Sequence, residues 1–480
     1  MESEVKIGLE CHAQLLTRSK LFCPCSTDYH NAEPNTHVCA VCLGLPGALP
    51  TVNEQAIRYG IKVALALGCE VQPEIIFYRK NYYYPDLPRG FQITQYDFPI
   101  AFNGRVRIES DGEEREIRIR RVHIEEDPGR LVYKGAIDTA KYSLIDYNRS
   151  GIPLVEIVTE PDLRSPKEAR IFLNKLRSIL EYLGVFNGDL EGAMRVDANI
   201  SLAGGERAEV KNISSYKGVE RALSFEITRQ KNLLRRGLKV QQETRHYDEV
   251  RGITISMRTK EFEADYRYFP EPDLVPIRIA AESVSDLKAE IPELPDERRK
   301  RFIMQYSITP EHATALTYDK HIADFYEAVA SRIDPRLCAT WIADVLKGEL
   351  NYRSITMREA EKRLSPDDFV AILRYLKRGI ITERGATMLI REMLDRGGKP
   401  DEIIKRKKLA TISPSEIDVA IDAVIKANKN AVADYLAGKN EALNFLVGQV
   451  MKYTRGRAEP KEVRIKLADK IQALLQKRNW

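Results

Sequence analysis

The chain lacks several features that would place it in a membrane or secreted class. Its 480 residues contain no run of about 18 apolar residues, so no segment is predicted to cross a membrane. The first residues, Met1–Val5, are acidic and lack the basic and apolar regions of a signal peptide. These absences favour a cytoplasmic protein with no membrane partner. The sequence also shows no internal repeat and no low-complexity tract.

Common nucleotide-binding and hydrolytic motifs are missing as well. The chain has no G-x-x-x-x-G-K-[ST] loop and no kinase glycine-rich loop, so acidic residues and Mg²⁺ would have to hold the phosphates of any bound ATP. It has no G-x-S-x-G, and Cys11 and His12 are neighbours that point to opposite faces of a strand. We therefore expect no glutaminase apparatus on this chain.

Cysteine is scarce, but four of the seven cysteines lie within twenty residues of one another. They form a C-x-C … C-x-x-C set with 13 residues between the pairs: Cys23, Cys25, Cys39 and Cys42. Four thiolates on two tight turns can close a tetrahedral zinc site without an open position, so the pattern predicts a structural Zn²⁺. Two alternatives stay open: His30 or His37 replaces one thiolate, or the four cysteines are unrelated.

Positive charge is also unevenly spread. The formal net charge is +5, and residues from Asp401 to Trp480 alone carry 16 Lys/Arg against 10 Asp/Glu. A basic end on a nearly neutral body favours a polyanionic partner, and a solvated helical surface is the plainer interpretation.

The first part of the chain has a mixed α and β pattern. Short runs rich in β-branched residues predict strands at Val5–Leu9, Arg105–Ile108, Glu116–Ile124, Leu154–Val158, Arg195–Leu202 and Ile253–Met257. Asn103-Gly104 and Asp111-Gly112 have hairpin turn chemistry, which favours antiparallel pairing. Capping signals at Ser165 and a run from about Lys217 to Arg236 predict two helices.

The character changes after Ile291–Pro295, where strand signals end. Helix starts are predicted at Thr309, Ser365 and Ser413, and a basic patch at Lys405–Lys408 precedes the last of them. The fold class is therefore α+β, with an all-α helical domain and a small all-α tail after an antiparallel β domain. We place the domains at 1–292, 293–404 and 405–480.

Carboxylates and imidazoles recur inside otherwise apolar strands. The candidates on four such strands are Glu10, His12, His123, Glu125, Glu156, Glu160, Asp197 and Asn199. Because alternate residues of a strand share a face, these polar faces can meet in one cradle for divalent ions. Oxygen ligands suit Mg²⁺, and a histidine nitrogen leaves Mn²⁺ open.

Six motifs resemble the B-subunit family of the glutamine-dependent aspartyl/glutamyl-tRNA amidotransferases. They occur in the family's order at Ile7–His12, Asn81–Asp86, His123–Asp127, Asp146–Arg149, Glu156–Asp162 and Asp265–Asp273. The resemblance covers essentially the whole chain. The related archaeal E subunit carries a large inserted domain, for which this chain is too short.

The resemblance implies a cradle domain similar to glutamine synthetase, followed by the helical and tail domains. It implies ATP-dependent phosphorylation of the side-chain carboxylate of Asp-tRNA(Asn) or Glu-tRNA(Gln), or both, and then amidation by ammonia. A partner amidase (A) subunit would supply the ammonia, and a small C subunit would clasp the two.

The resemblance also implies that His12, Glu125 and Glu156 bind the catalytic Mg²⁺, with Glu10 close by. Chemistry adds two sets of candidates. For the proton released by ammonium they are Glu126, Glu160 and Asp197, and for phosphate oxygens they are Lys80, Arg149 and Arg195.

The sequence departs from the family pattern at Pro128–Arg130, where the family often has Ala-Gly-Lys. Some members lack the four cysteines, so the chemistry cannot require zinc. Two rival functions stay open: an ATP-dependent ligase for a free small acid, and a non-enzymatic tRNA-binding protein with a zinc module.

Overall fold

A nine-stranded sheet organises the first part of the chain. The structure is a computed structural model that describes residues 4–133, 142–259 and 266–478. Asp265 of the last family motif lies outside these residues. The chain divides into two units, Met1–Pro295 and Asp296–Trp480, and the sheet belongs to the first.

In chain order the strands of this sheet are β1 (Val5–Gln14), β2 (Glu70–Val71), β6 (Ala101–Ser110), β7 (Glu113–Glu126), β10 (Pro153–Thr159), β11 (Met194–Leu202), β12 (Ala208–Ile213), β13 (Glu243–Asp248) and β14 (Ile253–Thr259). Across the sheet their order is β14-β13-β12-β11-β1-β10-β7-β6-β2, and the pairs are antiparallel except for β12 with β13. The smaller sheets contain β3 (Glu74–Ile75), β4 (Phe77–Asn81), β5 (Phe91–Gln95), β8 (Arg130–Tyr133), β9 (Ser143–Asp146), β15 (Phe269–Pro270) and β16 (Ile277–Arg278).

The two faces of the sheet differ because side chains alternate along each strand. On β1, Ile7, Leu9 and Cys11 are fully buried, whereas Glu10 and His12 point to the other face and are partly exposed. Burial of one such aliphatic side chain contributes about 1.5–3 kcal/mol, which fixes the register of β1 against a one-residue slip. The polar face is therefore set by the apolar one.

Helices cover the apolar face. The first unit contains α1 (Glu54–Ala66), α2 (Pro166–Tyr182), α3 (Tyr216–Arg235) and α4 (Ala281–Ala289). Helix α2 contacts β6, and α3 contacts β11 and β12. Ser165 caps α2 by accepting a hydrogen bond from the backbone N–H of Glu168, as the capping signal predicts.

Of the two predicted hairpin turns, one is correct. Asp111 and Gly112 join β6 to β7 with φ values of 55° and 83°, the left-handed pair of a type I′ turn. The turn predicted at Asn103-Gly104 is wrong, because strand β6 continues through these two residues with no shift in its pairing with β7. A Cβ on Gly104 would lie 2.3 Å from the Cys69 sulfur, so this glycine serves close packing rather than a turn.

The second unit is helical throughout its described residues, apart from an isolated bridge between Ile381 and Ala410. Its helices are α5 (Pro295–Tyr306), α6 (Pro310–Thr317), α7 (Lys320–Ala330), α8 (Pro335–Thr340), a π-helical turn (Trp341–Leu346), α9 (Lys347–Arg353), α10 (Met357–Ala360), α11 (Pro366–Lys377), α12 (Glu383–Arg396), α13 (Pro400–Lys407), α14 (Pro414–Ala427), α15 (Lys429–Leu436), α16 (Asn440–Tyr453) and α17 (Pro460–Arg478). Thr309, Ser365 and Ser413 cap their helices as predicted.

The buried apolar side chains between Ile417 and Ile471 form a separate hydrophobic cluster within the second unit. The mixed α and β class with a C-terminal helical region is confirmed. The division into three domains at 292 and 404 stays a prediction.

Candidate functional site

The polar face of the sheet brings together an imidazole and two carboxylates. His12 lies directly opposite Glu156 on the neighbouring strand β10, and Glu125 lies on β7, the strand beyond. The His12 Nε2 atom is 3.4 Å from Glu156 Oε2 and 3.6 Å from Glu125 Oε1. One ligand atom from each of the three residues falls within 4.8 Å of the others. Such a set fits one divalent ion with nitrogen and oxygen ligands.

The two carboxylates are nearly buried, with 6% and 8% of Glu125 and Glu156 exposed. The Thr94 hydroxyl donates a hydrogen bond to Glu125 Oε2 at 3.2 Å. Burial by itself lowers the pKa of His12, but the charges of Glu156 and Glu125 outweigh it and raise the pKa to about 9. The concentrated negative charge thus stabilises a cation at this position.

A second acidic cluster adjoins the first. Glu10 faces Asp197 across β1 and β11, and oxygen atoms of Glu10, Asp197 and Glu209 lie within 4.8 Å of one another. The Lys211 ammonium is 2.9 Å from Asp197 Oδ2 and 3.2 Å from Glu209 Oε1, and Asn199 donates to Glu10 at 2.9 Å. Burial, and then the charges of Glu156 and Asp197, raise the pKa of Glu10. This cluster already contains a counter-charge in Lys211.

Sequence reasoning did not select two members of this face, Glu209 and Lys211. Glu209 and Lys211 lie on β12, which was not among the predicted strands. His123 was noted on one face with Glu125, and its Nε2 atom lies 2.7 Å from Glu156 Oε2. The i, i+2 spacing of Glu209 to Lys211 was the available signal.

The candidate phosphate ligands Arg195 and Arg149 converge on one carboxylate. Asp127 has no solvent exposure, and Arg195 donates a hydrogen bond to its Oδ1 atom. Arg149 lies 3.6 Å from the same oxygen and donates to the carbonyls of Pro128 and Gly129. Since Arg195 is the cross-strand partner of His12, these guanidinium groups stand beside the first cluster.

Lys80, the third phosphate candidate, sits among aromatic rings. Its ammonium lies 4.7 Å from the centre of the Tyr266 ring and 5.8 Å from that of Tyr82. Burial by itself lowers the pKa of Lys80, and the Glu125 carboxylate, with further groups, raises it above the usual range. Lys80 is therefore a cation at neutral pH, and it interacts electrostatically with the carboxylates of the first cluster.

Two candidate bases, Glu126 and Glu160, belong to neither cluster. Glu126 is paired with Arg89 and accepts a hydrogen bond from the backbone N–H of Ile93 at 2.8 Å. Glu160 makes two hydrogen bonds of 2.9 Å with the exposed Arg120. Each of the three candidates for the ammonium proton has a cationic partner, which for Asp197 is Lys211, and only Asp197 lies in a cluster.

The four paired cysteines converge as the sequence predicts. Their four Sγ atoms all lie within 4.8 Å of one another, and those of Cys39 and Cys42 are 3.8 Å apart. Two sulfurs bound about 2.3 Å from a tetrahedral zinc are separated by about 3.8 Å, so the four residues can bind zinc. Hydrogen bonds from Cys23 and from the Cys39 backbone, with the charge of the Lys20 ammonium, outweigh burial and lower the pKa of Cys42 below its usual range. The imidazoles of His30 and His37 are not part of this set.

Cys11 faces the hydrophobic core with no exposed surface, while His12 faces the polar side. Burial, followed by the charge of Glu10, raises the pKa of the Cys11 thiol. These two neighbours therefore do not form a nucleophile–base pair.

Among the described residues, no helix is both long and apolar enough to span a bilayer.

Comparison with known proteins places the fold and the two clusters in a defined class. Residues 5–285 match the family described as the GatB/GatE catalytic domain, and residues 324–471 match the GatB domain. Both clusters and the four cysteines lie in the first match.

Full-length relatives narrow the class. The chain is 58% identical over 461 residues to the B subunit of the aspartyl/glutamyl-tRNA(Asn/Gln) amidotransferase of Methanococcoides burtonii, covering 96% of each chain. It is 58% identical over 463 residues to the protein of the same name from Methanospirillum hungatei, covering 95% of this chain and 96% of the relative. For the protein of that name from Haloquadratum walsbyi the identity is 50% over 486 residues, with 97% of each chain covered. The chain belongs to the family of aspartyl/glutamyl-tRNA(Asn/Gln) amidotransferase B subunits.

Proposed function

We propose that this chain activates the side-chain carboxylate of Asp-tRNA(Asn), Glu-tRNA(Gln) or both with ATP, and then directs ammonia to the activated carbon. The observation that carries the proposal is the His12–Glu125–Glu156 cluster beside the paired guanidinium groups of Arg149 and Arg195. The names of the full-length relatives supply the substrate class.

The chemistry explains why such a site is needed. A carboxylate reacts poorly with ammonia, because its negative charge shields the carbon and its leaving group would be oxide. Transfer of the γ-phosphoryl group of ATP to the carboxylate oxygen forms an acyl phosphate and releases ADP. Ammonia then attacks the carbonyl carbon, phosphate leaves, and the amide remains.

The residues divide this work by charge. His12, Glu125 and Glu156 would hold Mg²⁺, with Mn²⁺ left open by the imidazole ligand, and such an ion would supply charge neutralisation at the phosphate oxygens. Arg149, Arg195 and Lys80 bind phosphate oxygens by charge-assisted hydrogen bonds. Asp197, with Glu10 beside it, accepts the proton that ammonium loses before attack.

The acyl phosphate is exposed to hydrolysis unless water is excluded. The low exposure of Glu125 and Glu156 supports a closed reaction site. The polar face of the antiparallel sheet would form the glutamine synthetase-like cradle. Ammonia comes from a partner amidase (A) subunit, and a small C subunit completes the complex. Zn²⁺ bound by the four cysteines would be structural, since four thiolates leave no position for substrate.

The test is reconstitution of the complex with the amidase nucleophile disabled, ammonium chloride as nitrogen donor, and each misacylated tRNA in turn. We expect ATP-dependent amidation of at least one tRNA and no glutamine hydrolysis by this chain alone. Amidation of free Asp or Glu without tRNA would instead favour a small-acid ligase. RNA binding with no ATP consumption would favour a non-enzymatic tRNA-binding protein.

A further inference from the structure

The cysteine module, residues 23–42, contacts the arginine-bearing part of the polar face at two places. Both contacts come from the loop between the two cysteine pairs, at Tyr29 and at residues 33–37. Neither contact is made by one of the four cysteines. They connect a metal-binding fold to side chains that the reaction would use.

The first contact is a chain of hydrogen bonds through Tyr29. The Gln14 side-chain amide lies 3.1 Å from the Tyr29 hydroxyl and donates to Asp127 Oδ2 at 3.0 Å. The other oxygen of Asp127 accepts the hydrogen bond of Arg195. Gln14 is 7% exposed and Asp127 is fully buried, so solvent does not replace these partners. The Tyr29 ring stacks on the His30 ring with the ring centres 4.5 Å apart.

The second contact holds the segment that ends at Arg149. Asn35 accepts a hydrogen bond from the Tyr147 backbone N–H at 2.8 Å and donates to the Ile145 carbonyl at 3.0 Å. The buried Asn148 side chain donates to the Glu33 carbonyl and accepts from the His37 backbone N–H, both at 2.8 Å. The residue that follows Asn148 is Arg149.

The two contacts therefore meet at Asp127, the carboxylate between Arg195 and Arg149. A buried carboxylate with two guanidinium groups orients them, because a charge-assisted hydrogen bond fixes the plane of a guanidinium. In the structure Gln14 binds Oδ2 of Asp127, and both arginines face Oδ1.

We propose that the cysteine module positions the phosphate-binding arginines: Tyr29 acts through Gln14 and Asp127 on Arg195, and Asn35 acts through the 145–148 segment on Arg149. This inference rests on the proposed function, which assigns Arg149 and Arg195 to the phosphates of ATP. It makes Tyr29, Gln14 and Asn35 positioning residues. The module would then influence ATP binding, although a zinc ion held by four thiolates would have no place for a substrate.

Three substitutions test the proposal with little change to the fold. Tyr29→Phe removes the hydroxyl and keeps the ring that stacks on His30. Asn35→Gly removes both side-chain hydrogen bonds, and glycine suits the left-handed φ of 62° at this position. Gln14→Met breaks the chain at a buried position with a side chain of similar length. Tyr352→Phe is the matched control, since Tyr352 is 85% exposed on α9.

Each variant is measured in the reconstituted complex with ammonium chloride and saturating misacylated tRNA, while Mg·ATP is varied. We expect the KM for ATP to rise about three- to tenfold in the three variants, because each loses one or two hydrogen bonds that orient a charged group. The kcat should stay within about twofold, and zinc content and melting temperature should match the wild type. Tyr29→Phe combined with Arg195→Lys should raise KM by less than the product of the single effects.

An unchanged KM for ATP in Tyr29→Phe and Gln14→Met, with zinc retained, would overturn the proposal. A purely structural module would show the opposite pattern, namely lost zinc and a lower melting temperature with an unaltered KM. If the wild-type complex does not amidate tRNA with ATP, the proposed function itself fails. A working wild type with insensitive variants removes only the positioning role.

Discussion

His12 and Glu156 are direct cross-strand partners, and the Nε2 atom of the imidazole lies 3.4 Å from the nearer carboxylate oxygen. The Nε2 atom of His123 lies 2.7 Å from the same oxygen of Glu156, so two imidazoles share one buried carboxylate. A single substitution in this group changes the charge and the ligand set of the whole cluster.

Loss of a cluster ligand should stop activation of the carboxylate. We expect Glu125→Gln and His12→Ala to abolish ATP-dependent acyl-phosphate formation, because each removes one of three groups that can hold the ion. Binding of tRNA should be nearly unchanged. The assay follows ADP release and amide formation, with Glu116→Gln on the exposed side of β7 as the control. Normal amidation by either variant would exclude that residue from the site.

The four cysteines predict one Zn²⁺ per chain in the purified protein. Cys39→Ser should lose the metal and lower the unfolding midpoint more than it lowers the rate at saturating substrates, since a four-thiolate site contributes to folding. Metal analysis and thermal unfolding measure the two effects. Cys338→Ala, a buried cysteine in the second unit, is the control that should keep its zinc. Four freely titratable thiols and no zinc in the wild type would contradict the prediction.

Removal of residues 410–480 should weaken tRNA binding without slowing turnover at saturation. The deleted segment carries 12 Lys/Arg and 8 Asp/Glu, and phosphate contacts give affinity with little sequence information. We expect a higher KM for every aminoacyl-tRNA and a flatter dependence on salt.

The basic patch before this deletion is partly neutralised, because Arg406 and Lys407 pair with Glu392 at 2.9 and 3.1 Å. A Lys405→Ala, Lys408→Ala variant therefore separates the exposed charges of the patch from those of the tail. An unchanged KM and salt slope in the deleted complex would mean that the tail is a solvated surface or docks other subunits.

Glu226 gives a pH-dependent contribution to stability. It is fully buried between Arg229 and Arg245, and although burial raises its pKa, the hydrogen bonds from Arg229 and Thr254, with the arginine charges, leave it below the usual range. Its stabilising contribution is therefore present above the pKa of the unfolded chain and is lost as the pH falls through the lower folded value.

We expect Glu226→Gln to lower the free energy of unfolding by about 3 kcal/mol at pH 7, because two guanidinium groups lose their buried partner. The difference from wild type should narrow as the pH falls below about 4. Urea unfolding of the full chain at several pH values measures this, with the exposed Glu113→Gln as control. A difference that is constant with pH would contradict the assignment.

The sequence allowed the polar face of β1 and β11 to be predicted, because alternation is a local property. It could not show which strands would be neighbours. The partnership of Glu10 with Asp197, and the place of Glu209 beside them, depends on the order β12-β11-β1, which is set by packing across the whole unit. For the same reason the sequence could not show that Glu126 would pair with Arg89.

Asn103-Gly104 shows a second limit. The dipeptide has the composition of a turn, but its glycine is required because the Cys69 sulfur, from a distant earlier part of the chain, occupies the place of a Cβ atom. Local turn chemistry and a tertiary contact can demand the same residue, and sequence alone does not separate them.

The central position of β1 in the sheet has a consequence for folding during synthesis. Both neighbours of this strand come from later in the chain, and the hydrogen bond from Leu9 to the Thr159 hydroxyl spans 150 residues. During synthesis the first strand emerges long before β10 and β11, with two unpaired edges and an apolar face. Such non-local pairing slows folding, so the nascent N-terminal segment needs protection from aggregation until Leu202 has left the ribosome.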